Sequence, residues 1–274
     1  MRTGEYMCGG HNPADPAQNG PGRGDGGAGG GRLAVVGTGP GAREHLTGRA
    51  LEVLRAASVI VGYRTYLDLL GDLVRDKQVV RSGMRAEVDR CREAVDMARE
   101  GRAVAMVSGG DPGVYGMAGL VLEIMARENL LGRLPVEIVP GVTSATAAAA
   151  CLGAPLSTDF AVISLSDLLT PWDLICRRLT AAVEADFVLV LYNPASRRRV
   201  EQIREAQRIM LAGRPGATPA GLVKNAARPG QSVVLTDLAH LLEQEIDMFT
   251  TIVVGNSTTF RVRDCLVTPR GYPV

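Results

Sequence analysis

The chain is poor in lysine. Of 274 residues 30 are Lys or Arg, and only Lys77 and Lys224 are lysine, so 28 of the cationic groups are guanidinium. No G-K-[ST] phosphate loop is present, which excludes a Walker-type nucleotide site. Composition bias of the source accounts for this preference first; arginine also suits two-point recognition of carboxylates and phosphates, which leaves a polyanionic small molecule open. Charge of one sign is also lacking, for the formal net charge is +1. No global field therefore draws the chain to nucleic acid or to a membrane surface. Aromatic residues are only 4% of the sequence, and no basic stripe is interleaved with them, against an RNA-binding face. Three histidines, His11, His45 and His240, are too few for a histidine-rich metal centre. Five cysteines stand far apart, odd in number and without a C-x-x-C, which argues against a disulfide framework or structural zinc. Free thiols in a reducing compartment are expected. Long apolar runs are missing too. The longest uncharged stretch, Ile138 to Thr158, contains Pro140, Gly141, Gly153 and Pro155 and lacks the large side chains of a spanning helix. The first residues carry no apolar signal core. The expectation is a cytoplasmic protein with no metal site and with neither nucleic acid nor a membrane as partner.

What is present is organised unevenly. Residues 1–31 hold 11 of the 33 glycines and read as a disordered tail. From Arg32 onward, short β-branched runs alternate with helical patterns. Strands are expected at Leu33–Val36, Val59–Val61, Ala103–Val107, Val136–Val139, Ala161–Ile163, Phe187–Leu191, Gly221–Val223, Val233–Leu235 and Ile252–Val254. Helices are expected near 48–57, 86–100, 115–128, 143–152, 172–184 and 198–212. Met117, Leu120, Val121, Ile124 and Met125 form a core-facing stripe on the third of these helices. The alternation predicts an α/β fold, with a division near 140–150 that separates 32–142 from 143–274. Parallel strands are expected early and antiparallel pairs near the end.

The run "LAVVGTGPGAREHLT" contains Gly37, Gly39 and Ala42 in G-x-G-x-x-A spacing, the dinucleotide fingerprint. That reading fails on two points. The best helix cap, Thr47, comes several residues too late, and "SVIVGY" ends without an acid to hold a ribose. Pro40 between two glycines instead describes a rigid loop of little side chain that a ligand can approach closely. A denser cluster follows in "MVSGGDPGVYGMAG", where Gly109, Gly110, Gly113 and Gly116 surround Asp111 at the end of a strand. An acid there repels phosphate and tolerates a cationic or hydroxylated ligand. "EIVPGVTSATAAAACLGAPL" turns at Pro140-Gly141, with Thr143, Ser144 or Thr146 as cap for an alanine-rich helix. "LVLYNPAS", "LVKNAARPGQ" and "DMFTTIVVGNST" add strand ends bearing small polar groups, as a shared cleft requires.

Taken in order from about residue 32 onward, the five segments "VVGTGPGAREHLT", "VSGGDPGVYGMAG", "VPGVTSATAAAACLGAPL", "LYNPASRRR" and "MFTTIVVGNST" resemble the S-adenosylmethionine-dependent tetrapyrrole methyltransferases of corrin biosynthesis. Within that family, "GYRTYLDLL", "SGMRAEVDRCREAV" and "LVLYNPASRRR" look like the members that methylate C-17 and contract the macrocycle. "SGMRAE" and "GVYGMAGLVLE" are closer to the anaerobic, cobalt-bearing branch, with cobalt-precorrin-3 as substrate, than to the precorrin-3B branch. The resemblance implies S-adenosylmethionine folded into a cleft between two α/β domains, in a homodimer. It implies cofactor contacts at Pro40, at Gly109, Gly110, Asp111 and Val114, at Thr143 and Ser144, and at Asn193 and Ala226. Ring contraction calls for proton movement, and Tyr63, Tyr66, Tyr115 and Ser108 lie near the relevant loops. Packing explains each of these as well, so no catalytic residue is assigned. Arg64, Arg81, Arg85 and Arg197–Arg199 are candidates for substrate carboxylates, although a solvated helix face accounts for the last run.

Overall fold

The computed structural model describes residues 30–83, 86–196 and 199–273. The glycine-rich start, with Cys8 and His11, lies outside the described residues except for Gly30 and Gly31, as do Arg85, Arg197 and Arg198. From Gly31 onward the chain forms one compact unit.

Its first half is a parallel sheet. β1 (Arg32–Gly37), β2 (Val59–Tyr63), β3 (Gln78–Ser82), β4 (Ala103–Ser108) and β5 (Val136–Val139) lie in the order β3-β2-β4-β1-β5. All four pairings are parallel. Each connection therefore crosses over with helix, and the helices divide between the two faces. Strand periodicity decides the division. Leu33, Val35, Val104 and Met106 point to α3 (Glu87–Arg99) and α4 (Ala118–Arg127). Ala34, Val36, Ala105 and Val107 point to α1 (Gly48–Ala56) and α2 (Arg64–Leu69). Central strands covered on both faces are apolar nearly throughout, as β1 is from Leu33 to Gly37 and β4 from Ala103 to Val107.

The second half is a mixed sheet. β7 (Phe160–Ser164), β8 (Val188–Tyr192), β9 (Pro219–Lys224), β10 (Ser232–Asp237) and β11 (Thr250–Val254) lie in the order β10-β9-β11-β8-β7. Only β7 and β8 pair in parallel, and the three later pairings are antiparallel. α6 (Trp172–Glu184) and α7 (Glu201–Gly213) cover one face through Ile175, Leu179, Ile203 and Met210. α5 (Ser144–Leu152) covers the other with Ala145, Ala148 and Leu152 against Val188, Val190, Val223 and Val253. Small residues let α5 lie close to the sheet: a Cβ on Gly221 would stand 2.4 Å from a Leu152 methyl. A small sheet of β6 (Gly153–Ala154), β13 (Cys265–Val267) and β12 (Phe260–Val262) follows α5.

Three expectations need correction. The third helix begins at Ala118 rather than 115, because Tyr115 takes a φ of +52°. The last begins at Glu201 and not 198, and Val200, just before it, is 50% exposed. β3 and the short strands of the small sheet were absent from the expected set. The four cysteines described are free thiols, and burial pushes that of Cys91 up to about 11.

Candidate functional site

Parallel pairing brings the carboxyl ends of β1, β4 and β5 side by side, so three loops start from one edge. They are fastened to one another. Gly39 and Gly110 form an antiparallel bridge, donating to each other's carbonyls at 3.1 and 2.8 Å. Both take left-handed φ, +68° and +67°, where a side chain is strained. Thr38 donates its backbone N–H and its hydroxyl to the Ser108 carbonyl at 2.9 and 3.1 Å. Asp111 completes the fastening: one carboxylate oxygen accepts from Gly113 N–H at 2.8 Å, the other from Gly141 N–H at 3.0 Å. A Cβ on Gly37 would meet Gly141 N at 2.6 Å, so these loops approach backbone to backbone.

The late helix start is confirmed in detail. A short 3₁₀ turn, Arg43–His45, follows the first glycine loop, and α1 begins at Gly48 with the Thr47 hydroxyl accepting from Ala50 N–H at 3.1 Å. The helix that follows the Gly37–Gly41 loop therefore starts beyond it and not within it, unlike the dinucleotide motif.

The second half brings the other wall. β7, β8 and β9 run the same way, so Ser164, Tyr192 and Lys224 end on one edge. Two contacts join this edge to the first half. Tyr115, 59% exposed, donates its hydroxyl to the Val162 carbonyl at 3.1 Å and accepts from Ser164 N–H at 3.2 Å. The unpaired backbone of edge strand β7 is thereby satisfied by a side chain from the β4 loop. On the far side, Arg228 Nε donates to the Pro40 carbonyl. Between them, Tyr192 takes the place of a side-chain cap on α5. Its hydroxyl bonds the Thr143 hydroxyl at 2.6 Å and accepts from Ala145 N–H at 2.6 Å, while no Thr143 side-chain cap forms. Burial pushes the Tyr192 phenol above its ordinary value, although these bonds pull it the other way.

Most of the nine expected residues fall on this junction. Gly109 lies against Tyr66, whose ring carbons would stand 2.5 Å from a Cβ there. A Cβ on Gly110 would lie 3.7 Å from Thr143 Cα and 3.8 Å from Ser144 N. Asn193, at φ +51°, joins Ser164 through Nδ2–Oγ at 3.0 Å. Ala226 stands two residues before Arg228, between Asn225 and Ala227, which both take left-handed φ. Val114 bonds only within its own turn, to the Asp111 carbonyl at 3.3 Å. Of seven non-glycine residues with positive φ among the described residues, four (Tyr115, Asn193, Asn225 and Ala227) stand in these loops, a concentration typical of ligand sites.

A cavity of about 680 Å³ opens beside the junction, lined by Gly41, His45, Val142, Cys151, Ala227 and Arg228 among others. None of the nine residues lines it, though it borders Pro40, Thr143 and Ala226 through their chain neighbours. The remaining candidates scatter. Tyr63 packs edge-on to Tyr66 at 5.5 Å, and Arg81 pairs with Asp68 at 2.6 Å. Arg199 lies off the helix and donates to the carbonyls of Leu165 and Asn193 at 3.0 and 3.2 Å. Sequence reasoning passed over Tyr192 and Arg228. Tyr192 had a weak signal as an aromatic at a strand end, whereas Arg228 had none.

Residues 32–242 match the model of the tetrapyrrole (corrin/porphyrin) methylases. The chain belongs to that family. This tetrapyrrole methylase is 49% identical over 244 residues to a cobalt-factor III methyltransferase of Priestia megaterium, covering 88% of the chain and 45% of that protein. It is 45% identical over 240 residues to a probable cobalt-factor III C(17)-methyltransferase of Salmonella typhimurium, covering 88% of the chain and 99% of that protein. Among solved structures it resembles the methyltransferase CobJ, with a TM-score of 0.83 at 34% identity over 87% of the chain and all (100%) of the other. It also resembles the uroporphyrin-III C-methyltransferase of Thermus thermophilus complexed with S-adenosylhomocysteine, with a TM-score of 0.62 at 27% identity. That match covers 82% of the chain and 97% of the Thermus chain. No helix among the described residues of this tetrapyrrole methylase is long and apolar enough to cross a membrane.

Proposed function

We propose that this chain transfers a methyl group from S-adenosylmethionine to C-17 of a cobalt-bearing tetrapyrrole of the cobalt-factor III type. Ring contraction accompanies the transfer, as a step of cobalamin biosynthesis. One observation carries the reading. Three glycine-rich loops, fastened by Asp111 and the Gly39–Gly110 bridge, face strand ends of a second sheet. The relatives at 45–49% identity, named for cobalt-factor III methylation, support the substrate.

The donor set fits the cofactor. No lysine lies in the three loops, and Asp111 stands at their centre, so phosphate is disfavoured there. The start of α5, at Thr143 and Ser144, offers backbone N–H groups to an amino-acid carboxylate. Bound S-adenosylmethionine supplies an electrophilic methyl on a sulfonium, so the chain need provide no nucleophile. The protein's part is positional. Gly109 and Gly110 keep the loop surface free of side chains. Asp111 fixes the spacing of the β4 and β5 loops, and Tyr115 and Arg228 hold the second half against them. Together they exclude water and set reacting atoms in near-attack geometry.

The nine residues Pro40, Gly109, Gly110, Asp111, Val114, Thr143, Ser144, Asn193 and Ala226 form the cofactor contacts in this reading. Residues 32–142 and 143–274 act as its two domains. In this reading the protein works as a homodimer, which the family resemblance supports, and in the cytoplasm, which the scattered cysteines support. Calorimetric titration with S-adenosylhomocysteine, with NADH in parallel, tests the cofactor. Binding of the first alone is expected, and a response to NADH would restore the dinucleotide reading. Anaerobic turnover with cobalt-factor III, followed by product mass and the position of the new methyl carbon, tests the substrate. Methylation at another carbon would reassign the enzyme to a sibling activity.

A further inference from the structure

Arg90 is the charged residue of the first half that the proposed cofactor site leaves unexplained. It stands on α3 and is 5% exposed. Nη1 donates to Ser82 Oγ at 2.5 Å and, at 3.4 Å, to the Gly83 carbonyl. Nη2 meets the Met117 thioether sulfur at 3.7 Å, and Nε is buried with no hydrogen-bond partner. Among the described residues, no carboxylate forms an ion pair with Arg90.

The unused groups share one edge. Nε and Nη2 form the side of a guanidinium that grips a carboxylate with two parallel bonds. Arg214, also buried, leaves its Nε without a partner but spends both Nη groups on the Gly255 and Phe187 carbonyls. Two other arginines fill that side fully. Arg49 holds Glu137 through Nε and Nη2 at 2.7 and 2.7 Å, and Arg208 holds Glu205 at 2.8 and 2.6 Å. Those two arginines are solvent-exposed, where the pairing is worth little. At Arg90, where an unmatched cation is costly, a thioether and an empty donor stand instead.

The position explains the vacancy in charge. Ser82 ends β3, and Met117 precedes α4 at the close of the Gly109–Gly116 turn. The Arg90 head therefore lies at the carboxyl edge of the first sheet, the edge that carries the glycine loops. Ser82 and Met117 are half-buried and Gly83 is exposed, so the guanidinium lies one side chain below the surface.

We infer that Arg90 is a receptor for a carboxylate of the tetrapyrrole substrate. One acetate or propionate arm passes the flexible Met117 side chain and accepts from Nε and Nη2. Ser82 and Gly83 keep Nη1 and so fix the plane of the fork. This rests on the methyltransferase reading for the identity of the substrate, not for the existence of the anion site.

The test compares wild type, R90K and R90M in separate titrations with uroporphyrin III, an octacarboxylate, and with S-adenosylhomocysteine, alongside thermal unfolding. R90M is expected to keep its Tm and its S-adenosylhomocysteine affinity and to bind uroporphyrin III roughly 10- to 100-fold more weakly. R90K, a point donor without the fork, recovers only part of that loss. Wild-type affinity of R90K and R90M for uroporphyrin III, or no binding of it by wild type, overturns the inference. So does a fall in Tm and in both affinities for R90M while R90K behaves as wild type, which assigns Arg90 to packing. Failure of wild type to bind S-adenosylhomocysteine would strike the methyltransferase reading alone, because the uroporphyrin comparison does not depend on it.

Discussion

Two side chains carry the junction in ways their types foretell only partly. Asp111 was legible as an acid in a glycine loop, and its chemistry suggested a ligand contact. The structure spends both its oxygens on backbone N–H groups of Gly113 and Gly141. D111N keeps the shape but turns a donor toward one of those N–H groups. A loss of about 1–2 kcal/mol is expected for so partly buried a pair, read by denaturant unfolding, with weaker S-adenosylhomocysteine binding in the same preparation. Unchanged unfolding would remove Asp111 from the fastening. Tyr192 was legible only as an aromatic at a strand end, because nothing in "LVLYN" says that its hydroxyl replaces a helix cap. Y192F leaves Ala145 N–H without that acceptor and should cost about 1–2 kcal/mol. The pH dependence has a definite sign. The folded state raises the Tyr192 pKa, so its neutral form is favoured by folding. The contribution is constant below the unfolded value of about 10 and falls as pH rises beyond it. The stability gap between wild type and Y192F should therefore be flat from about pH 7 to 9 and narrow above about 10.

At the scale of elements, legibility followed apolar patterning. Central strands such as β1, β4 and β8, buried on both faces, read as short valine-rich apolar runs, and α4 and α6 as amphipathic stripes. The elements passed over are those with little apolar signal. β3 is an edge strand with no fully buried residue, β12 is exposed throughout, and α2 has six residues. Their existence depends on neighbours, not on local propensity. The early end assigned to the β4 loop had a similar cause. "VYGMAG" suits a helix start by composition, but Tyr115 is drawn into left-handed backbone by its bonds to β7. Y115F removes those two bonds and keeps the ring beside Tyr192, 5.8 Å away. About fivefold weaker S-adenosylhomocysteine binding is expected, from a net loss near 1 kcal/mol. Amide exchange should quicken at Ser164, whose N–H loses its acceptor. Unchanged exchange there would show that the β7 edge is held by something other than Tyr115.

For the whole molecule, what the sequence could not express is which strand ends meet. The order β3-β2-β4-β1-β5 puts residues 39, 110 and 141 in contact, and the Arg228–Pro40 bond spans 188 positions with no local cue at either end. The motif order carried that information only through resemblance to a family. A ligand that touches both sheets should therefore stabilise both together. Residues from Gly31 onward form one compact unit, so a single thermal transition is expected. At 100 times its Kd, S-adenosylhomocysteine adds about 2.7 kcal/mol. For a chain of this size, about 2–4 °C per kcal/mol gives a rise in Tm of about 5–10 °C. Calorimetry over a ligand series measures it. Two transitions, only one of them moving with ligand, would mean that the cofactor binds one half alone. Asn193 and Ala226 would then lose their place in the site, while the Asp111 fastening would keep its own.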